Sequence, residues 1–178
     1  MKKTMLMAVV LGAMGFAGAA SAADDASATF TWSGTVPAAP VSGGFIIKDS
    51  AGNDIQRGAL VFNVDPSGDG VLASSSTLDF NVYVWDGTTV GAPATSYDYR
   101  LTSLQVTQGG LPQEQDAQGY YAIMADGVTM TKDAPVTKLA GGATKLTVAP
   151  SGAATPSNQP TAGDAVDIHA RIVISNGV

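Results

Sequence analysis

The clearest structural signal in this sequence is the stretch ATFTWSGTV, which runs from Ala28 to Val36. Apolar or small residues occupy every second position, and threonine or serine fills the positions between them. Such unbroken alternation is typical of a β-strand that buries one face. Pro37 and Pro40 follow closely and would end a strand ladder, because proline has no backbone N–H to donate. The apolar face of this strand consists of Ala28, Phe30, Trp32, Gly34 and Val36.

The residues before this strand have the features of a secretory signal peptide. Two lysines follow Met1, and an apolar run extends from Met5 to Ala17. Ala20-Ser21-Ala22 then fits the small-residue cleavage pattern. The apolar run is too short to span a bilayer comfortably, and no basic stop-transfer cluster follows it. We therefore predict cleavage after Ala22 and export of residues 23–178.

Composition narrows the possible partners and chemistry of the exported chain. The signal peptide holds two of the nine basic residues and none of the fifteen acidic ones, so the exported chain is strongly acidic. Such a surface repels phosphate backbones and anionic lipid, so we expect no nucleic-acid partner. Cysteine is absent, which excludes disulfides, thiol catalysis and cysteine zinc sites.

The rest of the chain alternates in the same way, and we predict about seven to nine strands in one domain, with a long alternating strand at each end. No long helical period follows the signal peptide, and glycine, serine, threonine and valine are abundant. Asp126-Gly127 and Gly141-Gly142 each predict a hairpin turn, and residues 149–163 predict a surface loop. These features favour one antiparallel β-sandwich domain. Strands are predicted at 44–48, 59–64, 78–85, 97–107, 120–124, 128–130, 138–139, 145–148 and 166–174.

The last predicted strand, residues 166–174, is the second long alternating segment. Its outward positions include Asp167, His169 and Arg171. Its inward face is predicted to contain Val166, Ile168, Ala170, Ile172 and Ile174.

Few residues suggest catalysis or metal binding. His169 is the only histidine, and Glu114 the only glutamate, so hydrolytic chemistry has few candidate groups. The acids of residues 65–70 (DPSGDG) are spaced as in some calcium loops but lack the further ligands, which favours a plain turn. No Gly-x-Ser-x-Gly motif is present. We predict no catalytic residue, no metal site and no cofactor.

The residues at the start of the exported chain resemble a known family. The run TFTWSGTVPAAPV, from Thr29 to Val41, is similar to the mature N-terminus of chaperone–usher fimbrial subunits. The closest likeness is to major pilins of enteric colonisation-factor fimbriae. The resemblance implies an incomplete immunoglobulin-like sandwich that lacks its last strand and is completed by donor-strand exchange. Residues 23–40 would then be the donor-strand extension, and residues 41–178 the pilin domain.

The resemblance also implies partners and residue roles. Ala28, Phe30, Trp32, Gly34 and Val36 would enter a neighbour's groove, and the inward face of residues 166–174 would line that groove and bind the chaperone. Identical pilin subunits would join head to tail, with a periplasmic chaperone, an outer-membrane usher and a tip adhesin as further partners. The product would be an extracellular fimbrium on the cell surface that mediates adhesion to a host receptor of unknown identity. The chain departs from many such pilins in lacking their cysteine pair and penultimate tyrosine.

Two other functions remain open from the sequence. One is a secreted monomeric sandwich that binds carbohydrate through exposed aromatics such as Tyr83 and Trp85. The other is a periplasmic enzyme, for which Asp79, Asp98 and Glu114 would be the available acid–base groups.

Overall fold

A computed structural model describes residues 44–175 and the backbone of residues 28–32. The predicted signal peptide and two predicted donor residues, Gly34 and Val36, lie outside the described residues.

Thirteen strands and one short 3-10 turn form the described part of the chain, where no α-helix occurs. The all-β fold is therefore confirmed, although the short strands make the number larger than predicted. Across the described residues, no helix is long and apolar enough to cross a membrane. The strands are β1 Ala28–Trp32, β2 Phe45–Lys48, β3 Gly58–Val64, β4 Gly70–Ser75, β5 Leu78–Trp85, β6 Val90–Pro93, β7 Tyr97–Gln108, β8 Gln113–Glu114, β9 Tyr121–Ala125, β10 Val128–Thr129, β11 Val136–Lys138, β12 Thr144–Pro150 and β13 Val166–Ser175.

The strands form three antiparallel sheets. The largest has the order β10-β9-β12-β5-β2, with β6 also paired to β5. A second sheet has the order β11-β7-β13, with β8 also paired to β7. The third has the order β1-β3-β4. All strand pairs are antiparallel, as short hairpin-linked strands favour.

One apolar core joins the three sheets. It contains Leu60 and Phe62 from β3, Ile123 from β9 and Ile168 from β13, each at most 2% exposed. Aromatic rings pack within it at angles, as the ring quadrupole favours. The Phe80 ring lies 5.7 Å from that of Tyr99 and 6.0 Å from that of Tyr97. The Tyr97 and Tyr99 rings also contact each other, and the Tyr121 ring contacts those of Phe62 and Tyr120.

A β-bulge changes the phase of β7. Pairing with β13 matches Arg171 to Ser103 and Ile172 to Leu101, so Thr102 is the additional residue. Alternation would place Ser103 inward after Leu101, but Leu104 is the next buried residue. A bulge has this effect because the extra residue reverses the faces of those that follow.

The hairpin predicted at Gly141-Gly142 is wrong, whereas the one at Asp126-Gly127 is confirmed. β9 and β10 pair across Asp126-Gly127. By contrast, β11 pairs with β7, and β12 pairs with β5 and β9. The two glycines therefore carry the chain from one sheet to another.

The loop predicted at 149–163 begins after β12 ends at Pro150, contains the 3-10 turn Pro156–Asn158, and packs against the domain rather than lying freely over it. The carbonyl of Pro160 accepts a hydrogen bond of 2.6 Å from the amide of Gly70, and the amide of Ala162 donates to the carbonyl of Gly68 at 2.9 Å. Pro160 is fully buried. A Cβ at Gly70 would lie 3.0 Å from Pro160 Cγ, so Pro160 would have to move by a few tenths of an ångström to accommodate it.

Candidate functional site: the edges of β3 and β13

The C-terminal strand β13 is an edge strand in the hydrogen-bonded sheet. It pairs along its whole length with β7, from Val166 opposite Gln108 to Ser175 opposite Asp98. Within the described part of the chain, its other edge has no ladder partner. Such an edge presents unpaired N–H and C=O groups and can pair with another strand.

The inward face predicted for β13 is present. Val166, Ile168 and Ile172 are 1%, 0% and 6% exposed. Ala170 and Ile174 are half-buried and pack against the same core. His169 is half-buried on the alternate set of positions, opposite Gln105 of β7. The apolar face therefore continues to the unpaired edge of the sheet.

β1 lies in the region between β13 and β3. It is hydrogen-bonded to β3 as an antiparallel pair, in which Ala28 is opposite Phe62, Phe30 is opposite Leu60 and Trp32 is opposite Gly58. Its Cα atoms also approach those of β13 within 8 Å. The structure thus brings Ala28, Phe30 and Trp32 of the predicted donor strand next to the predicted acceptor strand of the same chain.

Backbone hydrogen bonds show which residues of β3 face β1. The Ala59 amide donates to Ser76 Oγ at 2.9 Å, and the Ser76 amide donates to the Ala59 carbonyl at 2.8 Å. Both polar backbone groups of Ala59 therefore point toward β4. Neighbouring residues of a strand direct these groups to opposite sides, so Leu60 directs its N–H and C=O toward β1.

The edge of β7 that faces away from β13 is covered by β8, by β11 and by the side chain of Glu114. Glu114 accepts hydrogen bonds from Ser103 Oγ at 2.6 Å and from the Leu104 amide at 3.2 Å, and pairs with Lys132. Chiefly because of the Lys132 and Ser103 hydrogen bonds, the pKa of Glu114 lies below its ordinary value. A charged side chain placed on an edge in this way discourages pairing with another strand.

A cavity of about 600 Å³ opens beside the Glu114–Lys132 pair. Its buried lining includes Leu101, Leu104 and Ile123, and both members of the ion pair line its exposed part. The amide of Asp133 donates to the carbonyl of Leu101 at 2.8 Å, which holds the segment between β10 and β11 against β7.

The acidic residues predicted as the available acid–base groups of an enzyme each make hydrogen bonds that support local structure. Asp79 accepts a hydrogen bond of 2.9 Å from the Ser50 amide, and hydrogen bonds from Ser50 lower its pKa. Asp98 accepts one of 2.7 Å from Thr137 Oγ1.

Asp65 closes its turn by accepting hydrogen bonds from the amides of Ser67 and Asp69, which confirms the turn predicted at 65–70. Among the described residues, no three histidine, cysteine, aspartate or glutamate side chains are grouped to hold a metal ion.

The two aromatic side chains suggested for sugar binding are less exposed than predicted. Tyr83 is only 7% exposed, and its hydroxyl lies 3.1 Å from the carbonyl oxygens of Asp49 and Ser50. Trp85 is half-buried, and Val84 between them is 45% exposed. Alternation therefore fails near the end of β5, where β2 and β6 both pair with it.

Comparison with known proteins adds no family assignment. No protein-family model matches the sequence, and no curated protein does so.

Sequence reasoning missed the contribution of β3 to this site. The segment GALVFNV carried a usable signal, because Leu60 and Phe62 alternate with Ala59 and Val61 as one buried and one outward face. Which of its edges would be occupied, and by what, depends on contacts distant in the sequence.

Proposed function

We propose that this chain is a structural subunit that polymerises by donor-strand complementation into a surface fimbrium mediating adhesion. The domain is an immunoglobulin-like sandwich without its last strand. The N-terminal strand of each subunit completes the next subunit, after export through the periplasm.

The observation that carries this proposal is the order of the strands. In the seven-stranded immunoglobulin arrangement, strands A, B, E and D form one sheet, and C, F and G form the other. The row β2-β5-β12-β9 fits A-B-E-D, and the pair β7-β13 fits C-F, with all six in the correct chain order. This correspondence leaves no described strand after β13 for position G.

The physical consequence of a missing strand G supports the same proposal. β13 would expose backbone hydrogen-bonding groups beside a buried apolar face, which is costly in water. An added strand supplies both the hydrogen bonds and the apolar side chains, a binding mode known as β-augmentation. Since donor and acceptor are different surfaces, identical subunits joined in this way propagate head to tail.

The proposal assigns roles to the alternating residues of both terminal strands. Ala28, Phe30, Trp32, Gly34 and Val36 act as the donor. The buried face of β13 forms the acceptor, which a periplasmic chaperone covers before an outer-membrane usher brings in the next subunit. A tip adhesin and a host receptor complete the set of partners.

Thermal unfolding of two variants tests the proposal. One is the exported chain without residues 23–37, and the other is this truncated chain with a copy of residues 28–36 joined through a flexible linker after Val178. We expect the fused chain to be a monomer with a cooperative transition. We expect the truncated chain to unfold at a clearly lower temperature, or to be recovered only with a chaperone.

A fusion in which both Phe30 and Trp32 of the added copy are replaced by serine is the matched control. It has the same length and linker but loses the aromatic anchors, so it should behave as the truncated chain does. Equal melting temperatures for the truncated and fused chains would mean that the domain has no strand to complete, and would overturn the proposal.

A further inference from the structure

The structure contains a strand pairing that donor-strand exchange alone does not require. β1 is hydrogen-bonded to β3 within its own chain, in a continuous register from Ala28–Phe62 to Trp32–Gly58. The same strand passes within 8 Å of β13, as measured between Cα atoms. The edge of β3 and the unpaired edge of β13 are thus both next to the chain's own N-terminal strand.

The residues that receive β1 on β3 favour one register. Leu60 is 0% exposed and directs its backbone groups toward Phe30, so this is a hydrogen-bonded pair. A shift by one residue would bring Phe30 opposite Ala59 or Val61, which belong to the outward face of β3. Trp32 is opposite Gly58, which has no side chain.

We propose that the free subunit caps itself with β1, and that assembly replaces this strand with β1 of a second copy in the same register on β3. The inference rests on the proposed function. It adds that β3 is the hydrogen-bonding wall of the acceptor site, with β13 as its neighbour, and that the subunit's own strand must leave before a neighbour's can enter.

The chemistry of the site identifies a second copy as the occupant. The strand seen on the β3 edge is β1 of this chain, and an identical strand from another copy makes the same hydrogen bonds at the same register. Exchange of an identical element between protomers therefore loses no contacts of the closed form, as in domain swapping. The two forms differ in whether β1 pairs with β3 of its own chain or with β3 of a second copy.

Engineered disulfides can test the register because the chain contains no cysteine. Thr31 is opposite Ala59, whose amide and carbonyl both bond to Ser76, so Thr31 and Ala59 form a non-hydrogen-bonded pair. Such pairs bring the Cα atoms to about 4.5 Å, which suits a disulfide. The double variant Thr31→Cys/Ala59→Cys is the test, and Thr31→Cys/Val61→Cys, which is out of register by two residues, is the control.

The first measurement is air oxidation of each full-length exported variant at high dilution, read by peptide mass spectrometry and size-exclusion chromatography. We expect a monomer with an intramolecular disulfide in the test variant, in severalfold higher yield than in the control. Thermal unfolding of the reduced variants establishes that both fold. Equal yields in two folded variants would overturn the self-capping proposal.

The second measurement separates this proposal from the function on which it rests. Single variants Thr31→Cys and Ala59→Cys are mixed, assembled with chaperone and usher, and oxidised; we expect intermolecular disulfides in the filaments. The oxidised double variant should not elongate filaments until it is reduced. Filaments that form without a disulfide between the two single variants would overturn the β3 register but leave the fimbrial function standing. A disulfide-locked monomer whose reduced form never assembles would support self-capping and contradict the fimbrial function.

Discussion

Two hydroxyl groups meet inside the core where β7 lies against β12. Tyr97 and Thr144 are 1% and 0% exposed, and their hydroxyl oxygens are 2.8 Å apart. Tyr97 also donates to the carbonyl of Gly142 at 2.9 Å. The tyrosine has a single hydroxyl proton, so Thr144 must be the donor in the contact between the two side chains. Burial raises the pKa of Tyr97, which keeps this proton in place.

Replacing Tyr97 with phenylalanine should destabilise the chain by about 1–3 kcal/mol, because it leaves a buried donor and a carbonyl without their partner. Tyr83→Phe is the control, since its hydroxyl bonds to the carbonyls of half-buried Asp49 and exposed Ser50, at a turn where water can replace it. Urea unfolding of residues 23–178 measures both free energies of unfolding. Equal losses in the two variants would contradict the distinction between a buried and a replaceable hydrogen bond.

The ion pair of Glu114 should contribute a pH-dependent part of the stability. The pKa of Glu114 is lowered in the folded chain, chiefly by the Lys132 and Ser103 hydrogen bonds. A lowered carboxyl pKa stabilises the fold above the ordinary value of 4.5, and this stabilisation is lost as the pH falls through the folded-state pKa. Because the pair is exposed, we expect this contribution to be small at neutral pH.

Urea unfolding of wild type and Glu114→Gln between neutral and acid pH measures this contribution. The stability difference should be present at neutral pH and should disappear well below pH 4.5. Lys132→Gln tests the partner, and in the Glu114→Gln background it should add little. A stability difference that stays constant across this pH range would show that ionisation of Glu114 is not its cause.

At the level of elements, two adjacent glycines meet different structural requirements. Gly141 and Gly142 both have positive φ angles, of 61° and 81°. A Cβ at Gly141 would lie 2.8 Å from the carbonyl oxygen of Ala94, whereas one at Gly142 would meet nothing within 4 Å. The first glycine therefore permits the segment between β11 and β12 to pass close to the end of β6.

The two alanine variants form a matched pair that isolates this close approach. Gly142→Ala should cost about 1–2 kcal/mol, the penalty of the left-handed backbone alone. Gly141→Ala should cost roughly 1–3 kcal/mol more, because the backbone must also shift to relieve overpacking. Thermal or urea unfolding measures both, and a larger loss for Gly142→Ala would contradict the close approach.

The strands and turns show where prediction from the sequence succeeds and where it fails. Alternation located the bounds of β5, β7 and β13 closely and predicted the buried face of β13, but in β5 it predicted the wrong faces for Tyr83 and Val84. It failed after Thr102, where an extra residue reverses the faces of β7. It also failed at Gly141-Gly142, because a glycine pair that permits a turn does not specify whether the flanking strands pair with each other.

At the scale of the whole molecule, the two ladders that flank the candidate site differ greatly in length. β1 pairs with β3 over five residues, whereas β13 pairs with β7 over ten. The apolar face of β1 was predicted from alternation and its donor role from the family resemblance, whereas its neighbours, β3 and β13, come from distant segments. The sequence could therefore indicate an apolar strand and, through the resemblance, β13 as its neighbour, but not the edge of β3 to which it is hydrogen-bonded.

Hydrogen exchange of residues 23–178 as a free chain should distinguish the two ladders. A short ladder at the end of the chain can open locally, whereas opening the long β7–β13 ladder disrupts the core. We therefore expect amides of β1, and of β3 facing it, to exchange faster than those of β7 and β13 that bond to each other. If the proposed filament forms, assembly should slow exchange in the β1–β3 ladder and leave β9 and β12 unchanged, because in that proposal only the former joins two subunits. Equal protection of both ladders in the free chain would mean that β1 opens only with the whole domain, too rarely to be exchanged for a neighbour's strand.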